Sequence, residues 1–195
     1  MKNGTPTRLL ALGAAALVFP ALAHAHSGHA LVYDCASGLA HPFHGWDHLL
    51  AMVAVGFWAM QLGGRARWMV PAAFVGVMTC AAVVGARGAA WPGLEPVIAT
   101  SVLVFGLLIV TAARLPLTLG VALVSVFAAS HGFAHGAEIP ANAGASSYAA
   151  GFALATVALH ALGLGIGHLA LRGPRLLPRV LGAACAAAGA VLLLA

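Results

Sequence analysis

Six long apolar runs, roughly at 44–62, 68–86, 96–113, 117–135, 148–171 and 178–195, follow one another with only short polar breaks between them. Each is about long enough, at 1.5 Å per helical residue, to cross the ~30 Å hydrocarbon core of a bilayer. None shows the period-two alternation of a lipid-facing barrel strand. Helices satisfy every backbone amide within the segment, which lipid demands. The expected fold is therefore an all-α integral membrane protein with about six transmembrane helices. At 62% apolar, 7% charged and a mean hydropathy of +1.00, the 195 residues leave no room for a separate soluble enzyme domain. The formal charge of +5 does not point to nucleic acid, because the basic residues sit in the gaps between apolar runs.

Ahead of these runs the chain reads as a secretory signal: Lys2 and Arg8 form a positive segment, 9–19 an apolar one, and Pro20 leads into small residues. Residues 1–25 are assigned to this signal, with cleavage after Ala23 or after Ala25, and 26–195 to the membrane domain. The first cut leaves His24 and His26 at the new terminus, and the second leaves His26 and His29. His24, His26 and His29 are either an outer capture arm for a metal ion or simply a histidine-bearing tail, and only the first cut sets a histidine third from a free amine, a Cu²⁺/Ni²⁺-chelating arrangement. The cysteines Cys35, Cys80 and Cys185 have no metal-ligand spacing and no evident disulfide pairing.

A cleaved signal places the mature N-terminus outside, so the first span runs inwards. Arg65, Arg67, Arg114, Arg172, Arg175 and Arg179 then fall on the cytoplasmic side and only Arg87 outside. That asymmetry is the one the positive-inside rule predicts, and it was reached without using the arginines. For a bacterial signal this is the cytoplasmic (inner) membrane.

Ionisable groups inside such a protein are costly, and by default they mark function. Two clusters hold most of them: His41-Pro42-Phe43-His44-Gly45-Trp46-Asp47-His48 and His131-Gly132-Phe133-Ala134-His135-Gly136-Ala137-Glu138. The topology puts both near the outer face. At helical spacing His44, Asp47 and His48 share one face, as do His131, His135 and Glu138. Imidazoles and carboxylates on facing helices suit a borderline divalent ion such as Ni²⁺, Co²⁺, Zn²⁺ or Cu²⁺, and the lack of a thiolate cluster argues against Cu(I). His160 lies near mid-membrane and His168 towards the cytoplasmic end. Being about 80° apart around a helix, they either extend the outer sites into a pathway or are separate hydrogen-bonded packing histidines. Weak sites in series are what conduction requires. Glu95 starts the third span at the outer face, where it is either a pathway residue or an anion favoured by a helix N-terminus. Gly163, Gly165, Gly167, Gly182 and Gly189 are expected at close helix contacts.

The stretch His41-Pro42-Phe43-His44-Gly45-Trp46-Asp47-His48, continued by Met52, Val55 and Gly56, resembles the signature of the HupE/UreJ family of nickel/cobalt permeases. Residues 127–138 are similar to a second family stretch, and Glu95-Pro96, Ile98-Ala99, Ser101-Val102 and the His160 region extend the likeness over most of the mature chain. The resemblance implies a secondary transporter importing Ni²⁺, or Co²⁺, as cargo, with no prosthetic group. Its partners would be cytoplasmic nickel chaperones of hydrogenase or urease maturation. It carries metal binding onto His41, Asp47, His48, His131, His135 and Glu138, whereas His44 rests on helical spacing alone. Two other readings of the same residues stand beside transport: an intramembrane metal-dependent enzyme of zinc-hydrolase or di-iron type, and a metal-sensing accessory protein. No phosphate-binding GxxxxGK[ST] loop exists to couple transport to nucleotide hydrolysis.

Overall fold

A computed structural model describes residues 34–139 and 144–195, and the signal segment with His24, His26 and His29 lies outside them. The described residues are helical throughout, with no strand. A six-residue helix, α1 (Cys35–Ala40), leads into a 3₁₀ turn at His41–Phe43, followed by α2 (Trp46–Leu62), α3 (Ala66–Gly85), α4 (Leu94–Thr111), α5 (Leu117–Glu138), α6 (Ala145–Arg172) and α7 (Leu176–Leu194). Helices α3 to α7 are each long and apolar enough to cross a membrane. Helix α2 has 17 residues, about 26 Å of rise, and falls just short of that length.

Between its polar ends helix α2 is apolar on every side from Leu49 to Met60, and such a helix must be enclosed. Ala51, Met52, Val55, Trp58 and Ala59 have no exposed surface. Helices α3, α4 and α6 pack around it. It also closes the end of α4. Trp58 Nε1 donates to the Ala113 carbonyl at 3.1 Å, and Gln61 Nε2 to that of Ile109 at 3.1 Å. The Ile109 carbonyl also accepts the Ala112 N–H at 3.2 Å, so Gln61 adds a second donor there, and Trp58 serves a carbonyl just past the helix end, where carbonyls lack helical partners.

Glycines set the closest contacts. Without a hydrophobic force between helices in lipid, small residues that let backbones touch are the main attractive feature. A Cβ on Gly132 or Gly136 of α5 would collide with the carbonyl of Met78 or Ala82 on α3, and one on Gly85 of α3 with that of Phe133. The same reciprocal arrangement joins α2 to α6 through Gly56 and Gly163, and α4 to α7 through Gly106, Gly182 and Gly189. Gly38 and Gly151 join α1 to α6. Six residues make a marginal helix alone; α1 is held by this contact and by a capping box. In that box the Asp34 carboxylate accepts from Ser37 N–H at 2.8 Å and Ser37 Oγ from Asp34 N–H at 2.8 Å.

The sequence-based spans agree with α2–α7 to within about three residues at each end, the uncertainty expected of helix boundaries. Some expectations require correction. Gly165 faces open space, unlike Gly163, Gly167, Gly182 and Gly189. The helix expected from 44 begins at Trp46, because Gly45 is extended (φ −116°, ψ 121°). His44 therefore precedes the helix, is exposed, and shares no face with Asp47 and His48.

Adding one methyl at Gly132 should cost about 1–3 kcal/mol of overpacking. Gly132→Ala is expected to lower the thermal midpoint of the detergent-solubilised protein clearly, and Gly165→Ala to leave it close to wild type.

Candidate metal centre

In α5 each histidine is followed directly by a glycine, at His131-Gly132 and His135-Gly136. One residue is a rotation of about 100°. When the glycine row lies flat on α3, the imidazole row is turned towards α2 and α6. His131 has no exposed surface and His135 is 3% exposed. The His48 ring, on the first turn of α2, lies 4.8 Å from that of His131 and 4.2 Å from that of His135, centroid to centroid. Nitrogen atoms of His48, His131 and His135 fall within 4.8 Å of one another. A tetrahedral ion with ~2.1 Å bonds wants about 3.4 Å between nitrogens, which modest ring rotations supply.

A second trio adjoins the first through the same His135. His41, on the 3₁₀ turn, places Nε2 3.1 Å from Glu138 Oε2, and His135 Nδ1 lies 3.7 Å from that oxygen. The His41 and His135 rings meet edge to face at 4.8 Å. Burial grades across the two trios: Glu138 is exposed, His41 half-buried, and His131 fully enclosed. Together they form a file of donors leading from the helix ends into the bundle.

Asp47 belongs to neither trio. Its Oδ1 accepts from the His48 backbone N–H at 2.8 Å and lies 2.7 Å from His48 Nδ1. This is the usual way a carboxylate orients a metal-binding imidazole, by holding one ring nitrogen and turning the other outwards. Here that other nitrogen, Nε2, is buried with no hydrogen-bond partner. Gly45 explains part of the sequence pattern, since a Cβ there would stand 2.6 Å from Asp47 Oδ1 and 3.1 Å from His48 Nδ1.

Deeper in the bundle, His160 on α6 is 2% exposed, and both its ring nitrogens lack partners. Phe74 of α3 stands between His160 and the first trio, 5.1 Å from the His160 ring and 5.6 Å from that of His131. His168 does not continue this file. It is exposed, and the 80° between the two positions is enough to turn His168 to the outside of the bundle. Glu95 is also exposed, on the first turn of α4, and is in neither trio. The sequence reading missed Phe74, and it quoted Ser101 only as part of the family likeness, with no role at the site. Ser101 is fully buried with Oγ 3.0 Å from His131 Nε2. Neither residue has a local signal, since an aromatic or a serine inside an apolar run is ordinary helix content.

A bundle of membrane-length helices enclosing linked imidazole trios defines a multi-pass membrane protein with a candidate metal centre. The comparisons identify its family. The family model described as HupE / UreJ protein matches residues 14–192, and the chain belongs to this family. Protein HupE of Rhizobium leguminosarum bv. viciae is 48% identical over 181 residues, covering 92% of this chain and 94% of that protein. No solved structure matches the chain.

Gly45→Ala is backbone-compatible, so its effect should fall on the Asp47–His48 pair. We expect about a tenfold loss in Co²⁺ affinity, the lower end for disturbing the partner of a metal-binding histidine. Titration of purified protein followed by cobalt absorption measures it.

Proposed function

We propose that this protein imports a divalent transition metal, Ni²⁺ in preference and Co²⁺ next, across the bacterial cytoplasmic membrane. The observation that carries the reading is the pair of trios sharing His135, sunk into a bundle with almost no other charge. Family membership supports a role in nickel or cobalt transport, or an accessory role to it, over catalysis.

In this reading α2–α7 are six spans, the mature N-terminus lies outside, and the trios open to the outer face. The hydrated cation first meets Glu138 and His41, where a carboxylate and an imidazole replace part of its water shell. His135 belongs to both trios and passes the ion inwards to His48 and His131. Asp47 keeps the His48 ring aimed. The ion then moves past Phe74 to His160 and leaves at the arginine-bearing cytoplasmic end, where nickel chaperones of hydrogenase or urease maturation receive it. Each station offers few ligands, so binding is strong enough to admit the ion and weak enough to release it. The driving force comes from a gradient or from trapping of the metal inside, in the absence of a nucleotide-binding loop.

The test is accumulation of radiolabelled nickel in cells expressing the protein beside Asp47→Ala and His135→Ala versions of matched abundance. Wild-type uptake should exceed background severalfold, and both substitutions should remove it. No wild-type uptake, with one metal ion retained tightly through purification, would favour an enzyme or sensor instead.

Outer pH supplies a second check. Imidazoles bind metal only when neutral, and ordinary histidines titrate near pH 6.5. Protons compete with the cation for imidazole ligands, so uptake at low metal concentration should fall as the outer pH drops from 7 to 5. A flat profile counts against the imidazole path.

A further inference from the structure

Ser101 of α4 is fully buried against His131, and its single hydroxyl proton has two candidate acceptors. One is the carbonyl of Ile98 in the preceding turn at 2.6 Å, and the other is His131 Nε2 at 3.0 Å. The shorter contact is a strong O–H···O distance, and a hydroxyl has only one proton to give. With that proton directed to Ile98, Ser101 Oγ faces His131 with lone pairs alone. The imidazole then carries its own proton on Nε2 and donates it to the serine. Its Nδ1, buried and without a hydrogen-bond partner, is left as a bare lone pair.

We infer that Ser101 is a positioning residue that fixes His131 as the Nε2–H tautomer and so presents Nδ1 to the cation. The inference rests on the transport reading for its cargo, while the hydrogen-bond logic stands on the metal-free protein. His48 is the mirror case: its Nδ1 is taken up by Asp47 and its Nε2 is free. Two of the three ligands in the inner trio are thus held in opposite tautomers, one by a carboxylate and one by a serine. The difference in partner matters for an ion that must leave. A carboxylate makes its histidine a more basic ligand, and a neutral hydroxyl orients the ring with a smaller gain in basicity. His131, the deeper ligand, therefore combines fixed aim with weaker hold.

The test uses full-length protein in detergent micelles. Histidine side-chain ¹⁵N NMR gives the tautomer, with the His131 signals assigned by their loss in His131→Asn, and Co²⁺ titration followed by ligand-field absorption gives the affinity. Wild type should show His131 protonated on Nε2. Ser101→Ala should yield a tautomer mixture, an altered cobalt spectrum and about a tenfold weaker affinity. Ser101→Thr retains the hydroxyl and should keep both wild-type signatures. A wild-type His131 protonated on Nδ1 overturns the inference, as does Ser101→Ala with unchanged tautomer and affinity. Should Ser101→Ala fail to fold, the wild-type tautomer decides alone. A wild type with the Nε2–H tautomer but no affinity for Co²⁺ or Ni²⁺ would defeat the transport reading and leave the action of Ser101 on the ring supported.

Discussion

The site depends on backbone contact between α3 and α5. Because Gly132 and Gly136 press their Cα atoms against the carbonyls of Met78 and Ala82, α5 can rotate very little about its own axis. The histidines that precede those glycines are then aimed by geometry alone, about 100° around the helix from the contact. In water a hydrophobic stripe would fix such a rotation. In lipid the surroundings are as apolar as the interior, and tight packing of small residues takes over that task. The His-Gly repeat in α5 thus serves docking and ligand placement with adjacent positions.

Burying three imidazoles is expensive unless their polar atoms are used, since a polar group without a partner in an apolar medium loses its hydration for nothing. Asp47 and Ser101 offset part of that cost by engaging one nitrogen each on His48 and His131. His48 Nε2 and His131 Nδ1 are left over, and among the described residues neither has a hydrogen-bond partner. In the transport reading proposed above, a cation completes the arrangement, and the exposed Glu138 paired with half-buried His41 marks the way in.

Much of the fold was legible because membrane helices announce themselves by length and apolarity. The six runs correspond to α2–α7 with ends that differ by up to about three residues. The candidate metal-ligating residues were legible for the opposite reason: so few polar groups occur that each stands out. Helical spacing correctly paired His131 with His135. It misplaced His44, because Gly45 interrupts the helix, and it put His168 in line with His160 although the 80° between them leaves one buried and the other exposed. Short α1 was not anticipated, since a six-residue helix with one capping box still depends on its contact with α6.

By itself the sequence determined a polytopic helical membrane protein, the number of long apolar segments, and the residue types gathered at one end of the bundle. These follow from local chemistry, from transfer of side chains into lipid and from helical periodicity. Only the tertiary structure decided that His135 belongs to two trios, that Asp47 holds His48 instead of joining them, and that Ser101 and Phe74 flank His131. Those relations join residues on separate helices, as with Ser101 and His131, 30 positions apart. They depend on the rotation and approach of each helix, which glycine contacts set and no local pattern encodes.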